Sequence, residues 1–128
     1  MACFGETMPD RDEVSRELAT VLGVLAHAER IRIVEELREE ERDVNALAAA
    51  IGARQARVSQ HLALLKAHRL VRERRDGRHV YYHLTRPSLA GWLLDGLRYL
   101  ESEILDASEL HEAIERVRDT WGTHEFEP

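Results

Sequence analysis

Hydrophobic positions in this 128-residue chain fall into blocks whose period changes once. Val14, Leu18, Val21 and Leu25 are spaced four, three and four, and Leu22 widens the stripe. This predicts a first helix, opened by a capping-box variant at Asp10-Arg-Asp-Glu13. Gly23 inside it costs about 1 kcal/mol against Ala, and a close helix–helix approach would explain it. A second helix is expected from Ala28 to Glu40, with Ile31, Val34 and Leu37 inward and its acidic tail solvated. Val44 to Ile51 makes a short Ala-rich third, ended by Gly52 in a left-handed conformation. The next helix starts near Arg54 or Gln55 and runs to about His68. Val58, Leu62 and Leu65 fall in one narrow sector of it, with Ala56, Gln60 and Ala63 roughly opposite and Arg57 and Ser59 on the flanks.

The period then becomes two. Val80, Tyr82 and Leu84 face one way, Tyr81 and His83 the other. Asp76-Gly77 has the composition of a two-residue type I′ hairpin turn. Pairing across it sets Arg75 against Arg78, Arg74 against His79, Arg72 against Tyr81 and Val71 against Tyr82. Helical spacing returns with Leu89, Leu93, Leu97, Leu100 and Ile104, on a helix from about Ser88 to Leu105 with Pro87 near its start. A second capping-box variant, Asp106-Ala-Ser-Glu109, opens a last helix with Leu110, Ile114, Val117 and Trp121 inward, and Gly122 ends it.

Helix, short turn, helix, hairpin is the outline of a winged helix-turn-helix, so the fold class expected is mainly α with a small β-hairpin wing. Residues 1–9 read as a flexible leader, 10–122 as one winged-helix domain and 123–128 as a tail. Within the domain, 43–84 is the DNA-reading head. The four-three-four seams of 10–26 and 88–122 exceed what one small chain can bury, so these helices are expected to dimerise.

Charge sharpens that picture. From Arg54 to Arg86 there are nine basic residues against two acids, a local +7 in a chain whose total is −6, so the remainder carries −13. An acidic protein that gathers half its cations in one quarter of its length presents a local positive surface, here coincident with the helix-turn-helix outline. Small and hydrogen-bonding residues on the outer face of the fourth helix suit a major groove about 12 Å wide, where Gln bridges adenine and Arg bridges guanine. The candidate DNA contacts are Arg54, Gln55, Arg57, Ser59, Gln60, His61 and Lys66 on or beside that helix, and Arg74, Arg75, Arg78 and His79 on the wing. Opposed arginines in a hairpin suggest a phosphate clamp; the other reading is an edge strand kept soluble. His61 lies about 60° off the buried axis, where it either reaches a phosphate or packs. Tyr81 and His83 read as cross-strand partners.

No apolar run approaches the roughly 18 residues of a membrane span, and no secretory h-region is visible. Cys3 is the single cysteine, which suits a reducing compartment; a cytoplasmic protein without a membrane partner is expected.

Four stretches together resemble the ArsR/SmtB family of bacterial winged-helix repressors, which often sense metals. They are Leu25-Ala-His-Ala-Glu-Arg-Ile-Arg-Ile33, Val58-Ser-Gln-His-Leu-Ala-Leu-Leu65, Leu70-Val71 and Gly77-Arg-His-Val-Tyr-Tyr82. The resemblance covers roughly Leu18 to Leu84. It implies a homodimer, packed through the first helix and the helix after the wing, that binds double-stranded operator DNA and lets go when an effector arrives. Several departures bear on mechanism. Arg54 stands where such proteins often cap the recognition helix with Ser. Arg69 stands where a Gly commonly precedes Leu-Val, so His68 or Arg69 must adopt a strained turn. Asp43 and Asn45 occupy the positions of the cysteine metal ligands on the third helix. Asp95 is followed two residues later by Leu97, not by the His of the zinc-type site.

No nucleophile–base arrangement, phosphate loop or paired-cysteine motif is readable, so a small metal-dependent enzyme is disfavoured. His111 and Glu115 share a helical face and His124 lies in the tail; a zinc or nickel ion is their candidate cofactor, ordinary solvated surface the alternative. With one cysteine, arsenite, cadmium or copper(I) sensing through paired thiolates is not expected. The effector is otherwise unknown. A helical protein-interaction module that keeps the head but does not bind duplex is the competing function.

Overall fold

The computed structural model describes residues 10–100 and 108–121. The leader with Cys3, Asp106 of the second capping box, the far end of the helix after the wing and the tail with His124 lie outside the described residues. In chain order the elements are α1 (Arg11–Leu25), α2 (Ala28–Glu36), β1 (Arg42–Asp43), α3 (Val44–Ile51), α4 (Gln55–Ala67), β2 (Val71–Asp76), β3 (His79–Leu84), α5 (Ser88–Tyr99) and α6 (Ser108–Trp121). The protein is a mainly helical winged helix-turn-helix whose small antiparallel sheet has the strand order β1-β3-β2.

Local chemistry accounts for most boundaries. Asp10 caps α1, its carboxylate accepting from the Glu13 N–H at 2.8 Å. Asp43 does the same for α3 through the Ala46 N–H at 2.8 Å, so the residue at the cysteine-ligand position is here a helix cap. Gly52 ends α3 at φ +70°. Arg54 precedes α4 with no side-chain cap bond. α2 stops at Glu36, four residues short of the expected Glu40. Acids crowd its C-terminal end, where the helix dipole favours cations. Leu37 instead closes the helix and is buried.

The core is built from α4 outward. Val58, Leu62 and Leu65 are fully covered, as their narrow sector required, and meet Ile33 and Val34 of α2, Leu47 of α3, Val71 and Leu84 of the sheet and Leu94 of α5. Each such side chain contributes about 1.5–3 kcal/mol by leaving water. One expectation needs correction. Ile33, not Ile31, is the buried isoleucine of α2; Ile31 is 41% exposed. On α5, Ala90 and Leu94 reach the core, while Leu89, Leu93 and Leu97 only flank it. Gly23 has no close neighbour among the described residues: a Cβ placed on it would meet nothing within 4 Å.

The hairpin is also shifted from its expected register. Asp76 pairs with His79, leaving Gly77 and Arg78 as the two turn residues. Gly77 has φ +63° and Arg78 is not left-handed, so positive φ occurs only at the first central position, the pattern of a type II′ turn. Arg75 therefore faces Val80, Arg74 faces Tyr81, Arg72 faces His83 and Val71 faces Leu84. Arginine does not oppose arginine. β1, unforeseen because two residues carry no readable period, pairs Arg42 with Tyr82 and Asp43 with Tyr81. That makes β3 the central strand, paired along both its edges. Among the described residues no helix is long and apolar enough to cross a membrane.

Candidate nucleic-acid interface

α4 turns its apolar sector into the core, which fixes what it shows outside. Arg54, Gln55, Arg57, Ser59 and Gln60 are all exposed along its N-terminal turns. The left-handed Gly52 and the short link to Arg54 set α4 against α3 in the helix-turn-helix manner. At the other end of the surface, the wing presents Arg75, Arg78 and His79, again exposed. Arg54 and Arg78 have no acidic partner among the described residues.

Other cations of the set are already engaged. Arg74 forks onto Glu41 across the sheet, with Nε at 3.0 and 3.1 Å from the two carboxylate oxygens and Nη2 closing a third contact. Its guanidinium also lies 4.9 Å over the Tyr81 ring. The hydrogen bond from Arg74, opposed by burial, holds the Glu41 carboxyl below the usual carboxylate range. Lys66 binds Glu73 at 3.0 Å, with Arg75 at 3.8 Å from the same carboxylate. The Lys66 hydrogen bond is the main reason Glu73 titrates low. Burial and the neighbouring Glu73 raise the Tyr82 phenol. Tyr81 and His83 pair across the hairpin with Arg74 and Arg72, and Tyr81 also stacks beside His79 at 6.1 Å.

His61 is turned inward, at 7% exposure. A phosphate contact asks for the opposite orientation, and packing is what the residue does. Its Nε2 lies 2.9 Å from Glu29 Oε1 and its Nδ1 3.2 Å from Arg30 Nη1. A guanidinium can only donate, so Nδ1 accepts and the ring proton sits on Nε2, donated to Glu29. Arg57 Nη1 reaches the other oxygen of Glu29 at 3.3 Å. The His61 hydrogen bond, opposed by burial and aided by Arg57, holds the Glu29 carboxyl low. Neither Glu29 nor Arg30 was selected from the sequence. The available signal was the i, i+4 spacing of Arg57 and His61, which places both on one face of α4 where a single carboxylate can meet them.

The same cluster is the His/Glu/His grouping that could hold an ion among the described residues. His27, Glu29 and His61 each bring one ligand atom within 4.8 Å of the others, donors suited to zinc or nickel. In the arrangement described, His27 Nδ1, both His61 ring nitrogens and both Glu29 carboxylate oxygens already take part in hydrogen bonds. His27 Nδ1 accepts from the Glu29 N–H at 3.1 Å as the cap of α2, His61 Nδ1 accepts from Arg30, and Glu29 accepts from His61 and Arg57. Two guanidinium groups and a helix N-terminus surround the site with positive charge. His111 is exposed on α6, Glu115 accepts from Arg118 at 2.7 Å, and His124 lies outside the described residues.

Comparison with known proteins agrees with this geometry. Residues 27–73 match the model of the bacterial regulatory protein, arsR family. The HTH-type transcriptional regulator KmtR of Mycobacterium tuberculosis is 37% identical over 92 residues, covering 72% of this chain and 69% of KmtR. The HTH-type transcriptional repressor SmtB of the same organism is 40% identical over 91 residues, 71% of this chain and 67% of SmtB. The chain spans 61–69% of the length of the first curated relatives it matches. Among solved structures, the homodimeric winged helix-turn-helix DNA-binding domain of Mb0332 from Mycobacterium bovis superposes with a TM-score of 0.63 at 29% identity, covering 79% of this chain and 96% of that domain. With its capped α3, its exposed α4 face and its basic wing, the chain belongs to the arsR family of bacterial regulatory proteins, DNA-binding regulators of transcription.

Proposed function

We propose that the protein is a homodimeric repressor that lays α4 in the major groove of operator DNA, rests its wing on the flanking phosphates and is released by an effector. The observation that carries this reading is the exposure of Arg54, Gln55, Arg57, Ser59 and Gln60 on α4 together with that of Arg75, Arg78 and His79 at the wing tip. Amide and guanidinium groups on the helix supply base readout, and cations at the tip supply sequence-independent attraction. SmtB is itself named a repressor and the Mb0332 domain a homodimer, which supports extending both properties to this chain.

Dimerisation is supported by side chains left uncovered. Val14, Leu18 and Leu22 of α1 are 54%, 50% and 46% exposed, and Trp92 and Tyr99 of α5 are 44% and 59% exposed. Two reading heads held by these helices would cover two half-sites about one helical turn apart. A metal effector would be a borderline ion on nitrogen and oxygen ligands, zinc or nickel, since the sequence has one cysteine. The test is a mobility shift against genomic fragments at two salt concentrations. A retained subset of fragments at the higher salt supports the function, and uniform or absent binding sinks it.

A further inference from the structure

Arg57 is the outermost member of a chain of hydrogen bonds that begins at the end of α1. The Val24 carbonyl accepts from Arg30 Nε. Arg30 Nη1 donates to His61 Nδ1 at 3.2 Å, His61 Nε2–H donates to Glu29 Oε1 at 2.9 Å, and Glu29 Oε2 accepts from Arg57 Nη1 at 3.3 Å. The Glu29 backbone is fixed as well, its N–H given to His27. Every member before Arg57 is held from two sides. The His61 side chain is 9% exposed, that of Glu29 25%, and that of Arg57 63%. A long, rotamer-rich side chain leaves α4 for solvent with one of its nitrogens already placed.

From this geometry we infer that Glu29 is a specificity-determining residue that acts through Arg57. Arg57 commits Nη1 to Glu29 and keeps its Nε–Nη2 edge without a partner among the described residues. That edge carries two parallel donors, the fork that matches O6 and N7 of guanine. A guanidinium swinging freely would bind phosphate on any sequence; one tethered through Nη1 offers its remaining edge in one direction only. Preorganisation of this kind raises the difference between right and wrong base pairs more than it raises overall attraction. The aspartate of Glu29→Asp keeps the charge but is one methylene shorter, and so cannot span His61 and Arg57 together. This proposal rests on the reading of the protein as a sequence-specific DNA binder.

The test is selection of full-length protein on a randomised duplex library, run in parallel for wild type, Arg57→Ala, Glu29→Asp and the double variant, with urea midpoints as a folding control. Arg57→Ala should lose preference at one base pair per half-site. Glu29→Asp should lose preference at that same base pair, about tenfold, with the other positions intact. The double variant should match Arg57→Ala, because Glu29 has nothing further to position. Glu29→Gln keeps the reach but has one accepting oxygen where His61 and Arg57 both donate, so it should lose the preference at that same base pair as Glu29→Asp does. Four results would overturn the proposal: a wild-type profile for Glu29→Asp, losses at other base pairs, additive losses in the double variant, or an unchanged profile for Arg57→Ala. Failure of wild type to enrich any sequence would overturn the DNA-reading function itself, and this inference with it.

Discussion

Arg69 has φ +62° where only glycine is at ease, between the end of α4 and the start of β2. Its N–H bonds to the Lys66 carbonyl at 2.9 Å and the Leu70 N–H to that of Leu65 at 2.9 Å, closing the helix and aiming the chain at the sheet. An L-residue in this region costs roughly 1–2 kcal/mol. Arg69→Gly should therefore stabilise the fold by about 0.5–1 kcal/mol after the added unfolded-state entropy is subtracted, read as a higher urea midpoint. The strain was legible in advance, because an Arg stood where relatives commonly have Gly. The inward turn of His61 was not: an angle near the edge of the buried sector leaves a side chain free to go either way, and Glu29 and Arg30 decided it. Glu41 and Glu73 give a second test at this scale. Both titrate below the ordinary glutamate value of about 4.3, so their contribution is present above that value and lost as pH falls through the lowered folded value. Unfolding midpoints of wild type should drop more between pH 6 and pH 3 than those of a Glu41→Gln, Glu73→Gln variant. Equal drops would mean the two pairs add nothing to stability.

Elements with strong periodicity were legible from spacing alone. α1, α3 and α4 match their expected spans nearly residue for residue, because caps and a left-handed glycine mark their ends. Short-range turn chemistry was less decisive. Asp-Gly and Gly-Arg both fit a tight turn here, and the choice moves every cross-strand pair. Placing Asp76 opposite His79 and Arg75 opposite Val80 avoids the facing like charges of the other register. Val71 and Leu84, paired and buried, fix the choice from the core side. The helix seams were legible as apolar stripes, but not which residues of each stripe face inward. On α1 the outer part of the stripe, Val14, Leu18 and Leu22, stays exposed. Replacing Leu18 and Leu22 together by Glu should therefore yield a folded monomer with weakened operator binding. Light scattering that still gives a dimer, with unchanged helicity, would remove α1 from the interface.

For the molecule as a whole, the two ends of the basic surface should behave differently. Gln60→Ala should cost about 1–3 kcal/mol on the operator and alter base preference. Arg78→Ala should weaken binding to every sequence and flatten the salt slope by about one unit. Arg74→Ala should flatten it less, since Arg74 is already matched by Glu41. Identical slopes for the two variants would show that the carboxylate does not matter. The positive surface was legible from charge counting, while its internal pairing was hidden because Glu29 and Glu41 lie far along the chain from their partners. That pairing has a consequence for how the protein finds its site. With Lys66 and Arg74 each holding a carboxylate, random duplex must compete with the protein's own acids for them. A regulator built this way lingers less on bulk genome, and a smaller number of copies per cell suffices to keep one operator filled.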